Sequence, residues 1–517
     1  MAITTTDLRT VASNANTTTG WTGSNGVSLV TEEPTPVFGT GCLGTVVSNA
    51  TQDAYFTMGA PVDMSTGMLV YVWVFLRGEM DTTANGGAQI LLGDGTNRVG
   101  FHLAGSDQAA FRHDQGPVGW QCMVLDTANL PAQHTVRAGS LANLNLSAIT
   151  QLGAVFKTLV KSVGGTVNCF VDIIRYGNGG VRVTGGTVGD PADLEQLAAQ
   201  DRSNTNAYGV VRRLGAGSFG CQAPLVFGGA STYFRQRNAA LSFEDRGLAL
   251  ERYSITVEGT GTTFFLGDKV GEGDGASGGS GMNITVPQGV GASFTASNDD
   301  LRIYGSTLSG FTAGVQIDSG EFIGSSVAAS GQVASGSTLL RGASITGSTE
   351  AGGAYLWSAA TDLRNSSFSN NGVGILHLEA GTFSYIDLGF SDNTFDLRND
   401  SGGHITINLT GGSPPTVDNV GASTTEVQNV VTFRLTGLVD NTEVRIYRMS
   451  DDVELFGVEN TLGGEVAYEY NATEPTPVYI HIHNILYVFI RLELTLGAND
   501  ATVPVQQRFD RNYSNPD

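Results

Sequence analysis

Lysine is nearly missing from this 517-residue chain: Lys157, Lys161 and Lys269 are the only three, and none follows position 269. Arginine carries the basic charge instead. A GC-rich coding sequence accounts for that bias, with an exposed protein poor in flexible amines as the functional alternative. Charge of either sign is scarce, at 15% of residues, and it leans acidic, with 27 basic against 49 acidic groups for a net −22. Such a surface repels phosphate backbones, which excludes nucleic acid as a partner. The four cysteines, Cys42, Cys122, Cys169 and Cys221, form neither a CxxC pair nor a dense framework. That excludes a zinc ribbon and a disulfide scaffold, and leaves free thiols acting as small buried hydrophobes in strands. Long apolar runs are missing as well. The longest, "MLVYVWVFL" from Met68 to Leu76, is nine residues, far short of the ~20 that a membrane helix needs. The opening "MAITTTDLRT" has no apolar signal region, so the expectation is synthesis in a cytoplasm with no export address and no membrane partner.

The motifs of common enzyme classes are missing too. There is no GxSxG elbow, and "GAGSFG" (Gly215 to Gly220) lacks the lysine and following helix of a phosphate loop, so it reads as a turn. No cofactor is expected, and no enzymatic activity.

What the chain has in abundance is glycine, 70 residues, with many Ser, Thr and Asn. Without a collagen period this composition reads as the turns of an all-β protein with many short strands. Residues 1–25 are Thr/Asn-rich and read as a polar N-terminal arm. From 26 to 255, apolar segments such as "MLVYVWVFL", "WQCMVLD" and "VNCFVDIIRYG" read as strands of two packed antiparallel sheets. One helix is expected in "GDPADLEQLAAQDR", packed on these sheets. Asp190 would be its N-cap, Pro191 its first position and Asp193 part of its first turn, with Leu194, Leu197 and Ala198 as the apolar stripe.

The texture changes between residues 256 and 410, past the glycine-rich "GDKVGEGDGASGGSGMN". "GSTLSG", "GSSVAAS", "GASITGS", "NSSFSNN" and "DLGFSDN" each set one apolar residue among small polar ones: Leu308, Val327, Ile345, Phe368 and Phe390. The steps between them are 19, 18, 23 and 22 residues. A recurrence of that length is the signature of stacked coils, here a short right-handed parallel β-helix. An alternative is a Greek-key sandwich with accidental repetition. From 420 to 517, "TEVRIYRM", "GEVAYEYN", "VYIHIHN" and "LYVFIRLELTL" alternate cleanly and read as a small C-terminal antiparallel β-sandwich ending in a polar tail.

Two resemblances follow from these residues. "MLVYVWVFL", the "GW" that leads into "WQCMVLD", and the closing "VDIIRYG" resemble concanavalin-like lectin and laminin-G β-sandwiches, although no set of calcium or sugar ligands can be matched. "GASFTASNDDLRIYGSTLSGF", the rungs after it and the ending "VPVQQRFDRNYSNP" resemble a group of proteins of tailed-bacteriophage virions over residues 160–517. That resemblance implies a non-enzymatic structural component: a tail fibre, spike, head fibre or capsid-decorating protein, as a homotrimer located in the virion. The N-terminal region would dock to other virion proteins (capsid, tail or portal-proximal), and the distal part would face host glycans in host attachment. Two alternatives stand beside it, a tailspike depolymerase cleaving host polysaccharide and a monomeric carbohydrate-binding adhesin. The depolymerase would need paired carboxylates, and Asp318, Glu321, Asp387, Asp392 and Asp396 are available.

One motif remains. In "YIHIHN", His481 and His483 would share one face of a strand. In one chain they supply two metal ligands and no third is spaced to join them. Three copies at an axis would supply six imidazoles, an arrangement that the phage resemblance allows and that suits iron, nickel or zinc. The simpler reading is an ordinary half-polar strand with Ile480 and Ile482 pointing inward.

Overall fold

The computed structural model of the chain describes residues 3–32, 34–45, 51–76, 87–102, 119–157, 169–201, 203, 205–244, 253–268, 281–287, 291–297, 300–462, 464–471, 475–497 and 499–511. The glycine-rich stretch expected as a loop lies largely outside them, as does the end of the polar tail. The protein is nearly all β. It divides into two compact units: Met1–Tyr355 with Ala359–Asp362, and Leu356–Ser358 with Leu363–Asp517.

The first unit opens with two six-stranded antiparallel sheets. One has the order Trp120–Asp126, Leu69–Leu76, Cys169–Tyr176, Cys42–Thr45, Ser28–Val30, with Thr10–Ser13 branching from Cys169–Tyr176. The other runs His134–Ala138, Arg98–His102, Gly87–Gly93, Ile149–Lys157, Gln52–Val62, Trp21–Gly23. A single apolar core joins them, with Val70, Val72, Val74 and Leu125 from the first and Ile90, Leu92, Phe101, Leu152 and Phe156 from the second. The continuous apolar run of "MLVYVWVFL" has its explanation here. Every residue from Leu69 to Val74 is buried, so both faces of that strand need apolar side chains. All four cysteines are free, buried and in strands.

The N-terminal residues correct the expectation of an arm. Thr4–Asp7 pairs antiparallel with Val181–Gly185, Thr10–Ser13 with Cys169–Tyr176, and Trp21–Gly23 with Gln52–Val62. Threonine-rich sequence is good strand sequence, and its polarity hid the buried anchor. Arg9 donates from Nε to Asp7 Oδ1 at 2.8 Å and lies 4.3 Å over the Tyr71 ring. Arg175 Nε reaches Asp7 Oδ2 at 2.6 Å.

The helix forms as Leu194–Asp201, with Leu194, Leu197 and Ala198 buried as expected. Its cap is Asp193, not Asp190: Asp193 Oδ1 accepts the Gln196 amide at 2.7 Å, the N3 amide that an N-cap side chain satisfies. Asp190 closes a turn with Thr187 instead. The helix lies against Val211–Gly215.

Beyond Val181, parallel pairing becomes the main pattern of the first unit. Leu225–Gln236 pairs in parallel with both Tyr253–Glu258 and Thr262–Leu266, so the domain boundary expected between 255 and 256 falls inside a paired strand. A second parallel ladder stacks Ser218–Cys221, Ala239–Phe243, Met282–Thr285, Thr307–Ser309, Ser326–Ala328 and Ser344–Thr346. Its register sets Phe219, Leu241, Ile284, Leu308, Val327 and Ile345 in one column, each at most 3% exposed.

The repeated motif acquires a physical cause at this point. Three residues before Leu308, Val327, Ile345, Phe368 and Phe390 stand Gly305, Gly324, Gly342, Asn365 and Asp387, with φ of 52°, 57°, 60°, 51° and 50°. Two residues after them stand Gly310, Ala329, Gly347, Asn370 and Asp392, again with positive φ. Each three-residue strand is thus bracketed by two left-handed corners, which Gly, Asn and Asp tolerate best. The small residues beside the corners stack by hydrogen bond: Ser325 Oγ accepts the Ser306 amide, and Ser306 Oγ accepts the Met282 amide.

In the second unit Ser367–Ser369 pairs in parallel with Gly389–Ser391, stacking Phe368 on Phe390 at 5.7 Å. Strand Thr424–Leu438 changes partner along its 15 residues. Its first part runs parallel to His404–Thr410, and its second part is flanked by Gly464–Asn471 and Ala501–Pro504. A separate antiparallel sheet has the order Glu454–Val458, Glu443–Arg448, Thr476–Asn484, Tyr487–Leu496. Phe433, Leu435, Val444, Ile446, Val478, Ile480 and Ile482 form the core shared by the two.

Candidate functional site

Strand Thr476–Asn484 follows its alternation. Val478, Ile480 and Ile482 are fully buried, while Tyr479, His481 and His483 face outward. The register lines up Tyr447 with Tyr479 and Glu493, Arg445 with His481 and Arg491, and Glu443 with His483. His481 is walled by rings, 5.4 Å from Tyr447, 5.1 Å from Tyr479 and 5.0 Å from Phe489. His483 Nδ1 lies 3.9 Å from Glu443 Oε2.

Charge on this face is locally matched. Arg445 reaches Glu443, Glu454 and Glu459 at 2.7, 3.0 and 3.1 Å, and hydrogen bonding to Glu443 heads the causes that raise its pKa above the ordinary arginine value. Arg491 pairs with Glu493 at 3.0 Å and lies 4.4 Å over Tyr479. Tyr479 donates its hydroxyl to Asp452 at 3.0 Å. Among the described residues, no three His, Cys, Asp or Glu side chains gather into a metal site. His481 and His483 are built into an aromatic, ion-paired sheet face.

The candidate carboxylates hold local partners or form corners. In the first unit Asp318 accepts the Gln316 side-chain amide at 3.1 Å, and Glu321 accepts the Tyr304 hydroxyl. In the second, Asp396 is buried and accepts the Thr416 amide and hydroxyl, both at 2.8 Å. Asp387 and Asp392 are the left-handed corners described above.

A groove not anticipated from sequence lies on the outer side of the first unit's parallel strands. It has a volume of about 250 Å³ and is lined by Ser293, Thr295, Thr312, Gln316, Gln332 and Glu350 among others. Thr295 and Gln316 are neighbours on successive strands. Hydroxyls and amides with one carboxylate suit a small ligand rich in hydroxyl groups, and the volume falls below the usual range of ligand sites. The signal was present in "SFTAS" and "GVQI", where polar residues alternate outward, but which strands stand side by side is not written locally.

Buried titratable groups lie elsewhere. His377 is held neutral by burial, which lowers its pKa to about 3. Its Nε2 lies 2.8 Å from the Tyr385 hydroxyl, and its ring stacks on Trp357. Burial raises Asp172 and Asp201 to about 7. Burial also pushes the Cys42 thiol up to about 12 and the Cys169 and Cys221 thiols higher. A thiol held in that form is a poor nucleophile.

No family model matches this chain, and no curated protein matches it.

Proposed function

We propose that the protein is a non-enzymatic structural component of a tailed-bacteriophage virion: a fibre, spike or capsid-attached protein in which a parallel β-helix links a lectin-like β-sandwich to a smaller C-terminal sandwich. The observation that carries the reading is the recurring rung, a three-residue strand between two left-handed corners with its apolar residue in a register-matched column. A stack of such rungs presents few flexible loops and closes its backbone hydrogen bonds strand to strand, which suits a protein exposed to proteases outside a cell. The groove lined by Thr295, Gln316 and Glu350 supports contact with host surface glycans, because its donors and acceptors match sugar hydroxyls without demanding a charged ligand.

The test is proteomic and microscopic. Purified virions of the encoding phage should contain the chain at a fixed copy number, and gold-labelled antibody should decorate one class of appendage. Particles lacking the chain would end this reading. Reducing sugar released from host polysaccharide by the purified protein would favour the depolymerase instead.

A further inference from the structure

Strand Tyr487–Leu496 ends its sheet, with Thr476–Asn484 on one side. On the other side, among the described residues, its beginning alone is closed: Val488 donates to Arg508 O at 2.9 Å, and Asp510 donates to Leu486 O at 3.0 Å. From Phe489 to Leu496, no described strand pairs with the outer edge. An open edge is a template for another strand unless something blunts it.

The neighbouring edges are blunted. Ala501–Pro504 is four residues long and ends in proline. Gly464–Asn471 turns Glu465 and Glu469 outward, and pairing it with its own copy about Ala467 would set glutamate against glutamate. Glu454–Val458 is five residues long, and its Glu454 is held by Arg445. Tyr487–Leu496 is different. It has 10 residues and no proline. Laid antiparallel on its own copy about Leu492, it sets Arg491 against the second copy's Glu493, and Glu493 against the second copy's Arg491. Ile490 then meets Leu494, and Phe489 meets Thr495. Opposite charges directly across an antiparallel pair are favourable.

Burial points the same way. Ile490, Leu492 and Leu494 face the shared core yet remain only partly buried, whereas Val478, Ile480 and Ile482 on the adjacent strand are fully covered. Phe489 is 50% exposed beside them.

We propose that Tyr487–Leu496 is an interaction edge whose partner is a second copy of this chain, joined antiparallel about a two-fold axis at Leu492 into one continuous sheet. An isologous contact of this kind is the commonest way for identical chains to associate. Its arrangement differs from the three-fold assembly implied by the phage resemblance, so the mass in solution discriminates between them.

The experiment uses the full chain and measures its mass by sedimentation across the micromolar range. The wild type should associate in twos. Arg491→Glu and Glu493→Arg should each raise the dissociation constant by at least about ten-fold, since each sets like charges across the axis twice. An equimolar mixture of the two variants restores both opposite-charge contacts and should pair again. The double variant Arg491→Glu/Glu493→Arg should pair with itself, which keeps the test decisive if a single variant folds poorly. A wild type that stays single at its highest soluble concentration would overturn the proposal. So would a three-fold mass, single variants that pair like wild type, or a mixture and double variant that fail to pair.

Discussion

Within the first unit, the two antiparallel sheets and the parallel ladder treat charge in opposite ways. The first sheet encloses it: Arg9, Arg175 and Asp172 are all buried. Each is tied to a partner, as when Asp172 Oδ2 accepts the Val37 amide at 2.7 Å and Arg175 donates to Ala207 O at 2.6 Å. The ladder instead keeps its column wholly apolar and leaves polar and charged groups to its corners and outer face. The face of the first sheet that carries Tyr71 and Trp73, turned away from the apolar core, surrounds an arginine with carbonyls and carboxylates. A column of single side chains, one per rung, offers a buried charge nothing but the residue above and the residue below. The sheet region thus adds buried polar contacts to its apolar core, whereas the ladder column rests on uninterrupted apolar stacking.

The largest effect should come from forcing the ladder to behave like the sheets. Ile345→Asp places an unpaired carboxylate beneath Val327, costing several kcal/mol, and soluble expression should collapse. A variant that purifies and melts like wild type would show that the column is not the support described. Removing a buried charge from the sheets should come next. Arg175 donates to Ala207 O at 2.6 Å and pairs with Asp7. Arg175→Ala removes these two bonds and leaves Asp7 to Arg9 alone, at a cost of about 2 kcal/mol read from urea unfolding.

A third experiment uses pH. Burial raises Asp201 from 3.8 to about 7, so between these values the folded chain holds a proton that the unfolded chain releases. Its contribution to stability is full below about pH 4 and is lost as pH rises through about 7. In Asp201→Asn, the fall in urea midpoint between pH 5 and pH 8 should shrink relative to wild type. An unchanged slope would show that Asp201 does not titrate there. The smallest effect sharpens the ladder itself. Ala329 is a corner with a φ of 47° where most equivalent corners hold Gly, Asn or Asp. Ala329→Gly relieves the left-handed penalty at some cost in chain entropy, so stability should rise by roughly 0.5 kcal/mol, seen as a small increase in Tm.

The ladder was legible where its steps were regular. Leu308, Val327 and Ile345 announced their column because each rung repeats the same two corners within six residues of sequence. Phe219, Leu241 and Ile284 belong to that column too, but the step from Leu241 to Ile284 is 43 residues. An insertion of that size hides the period without disturbing the pairing. The first 25 residues were misread for a different reason. Threonine polarity looks the same in a free arm as in a strand whose hydrogen bonds close on Val181–Gly185 and Cys169–Tyr176.

What the sequence determined by itself was local and short-range. Steric preference placed Gly, Asn and Asp at positive φ, and alternation placed His481 and His483 on one face with Ile480 and Ile482 beneath. These outcomes depend on dihedral angles and side-chain direction within a few residues. Which strands became neighbours was decided only by the tertiary structure: Thr295 beside Gln316 in a groove, Asp7 between Arg9 and Arg175, His481 between Tyr447 and Phe489. Those encounters depend on register across tens to hundreds of residues, where many pairings satisfy the same local pattern. The packed chain selects the one that leaves the fewest buried groups without a partner.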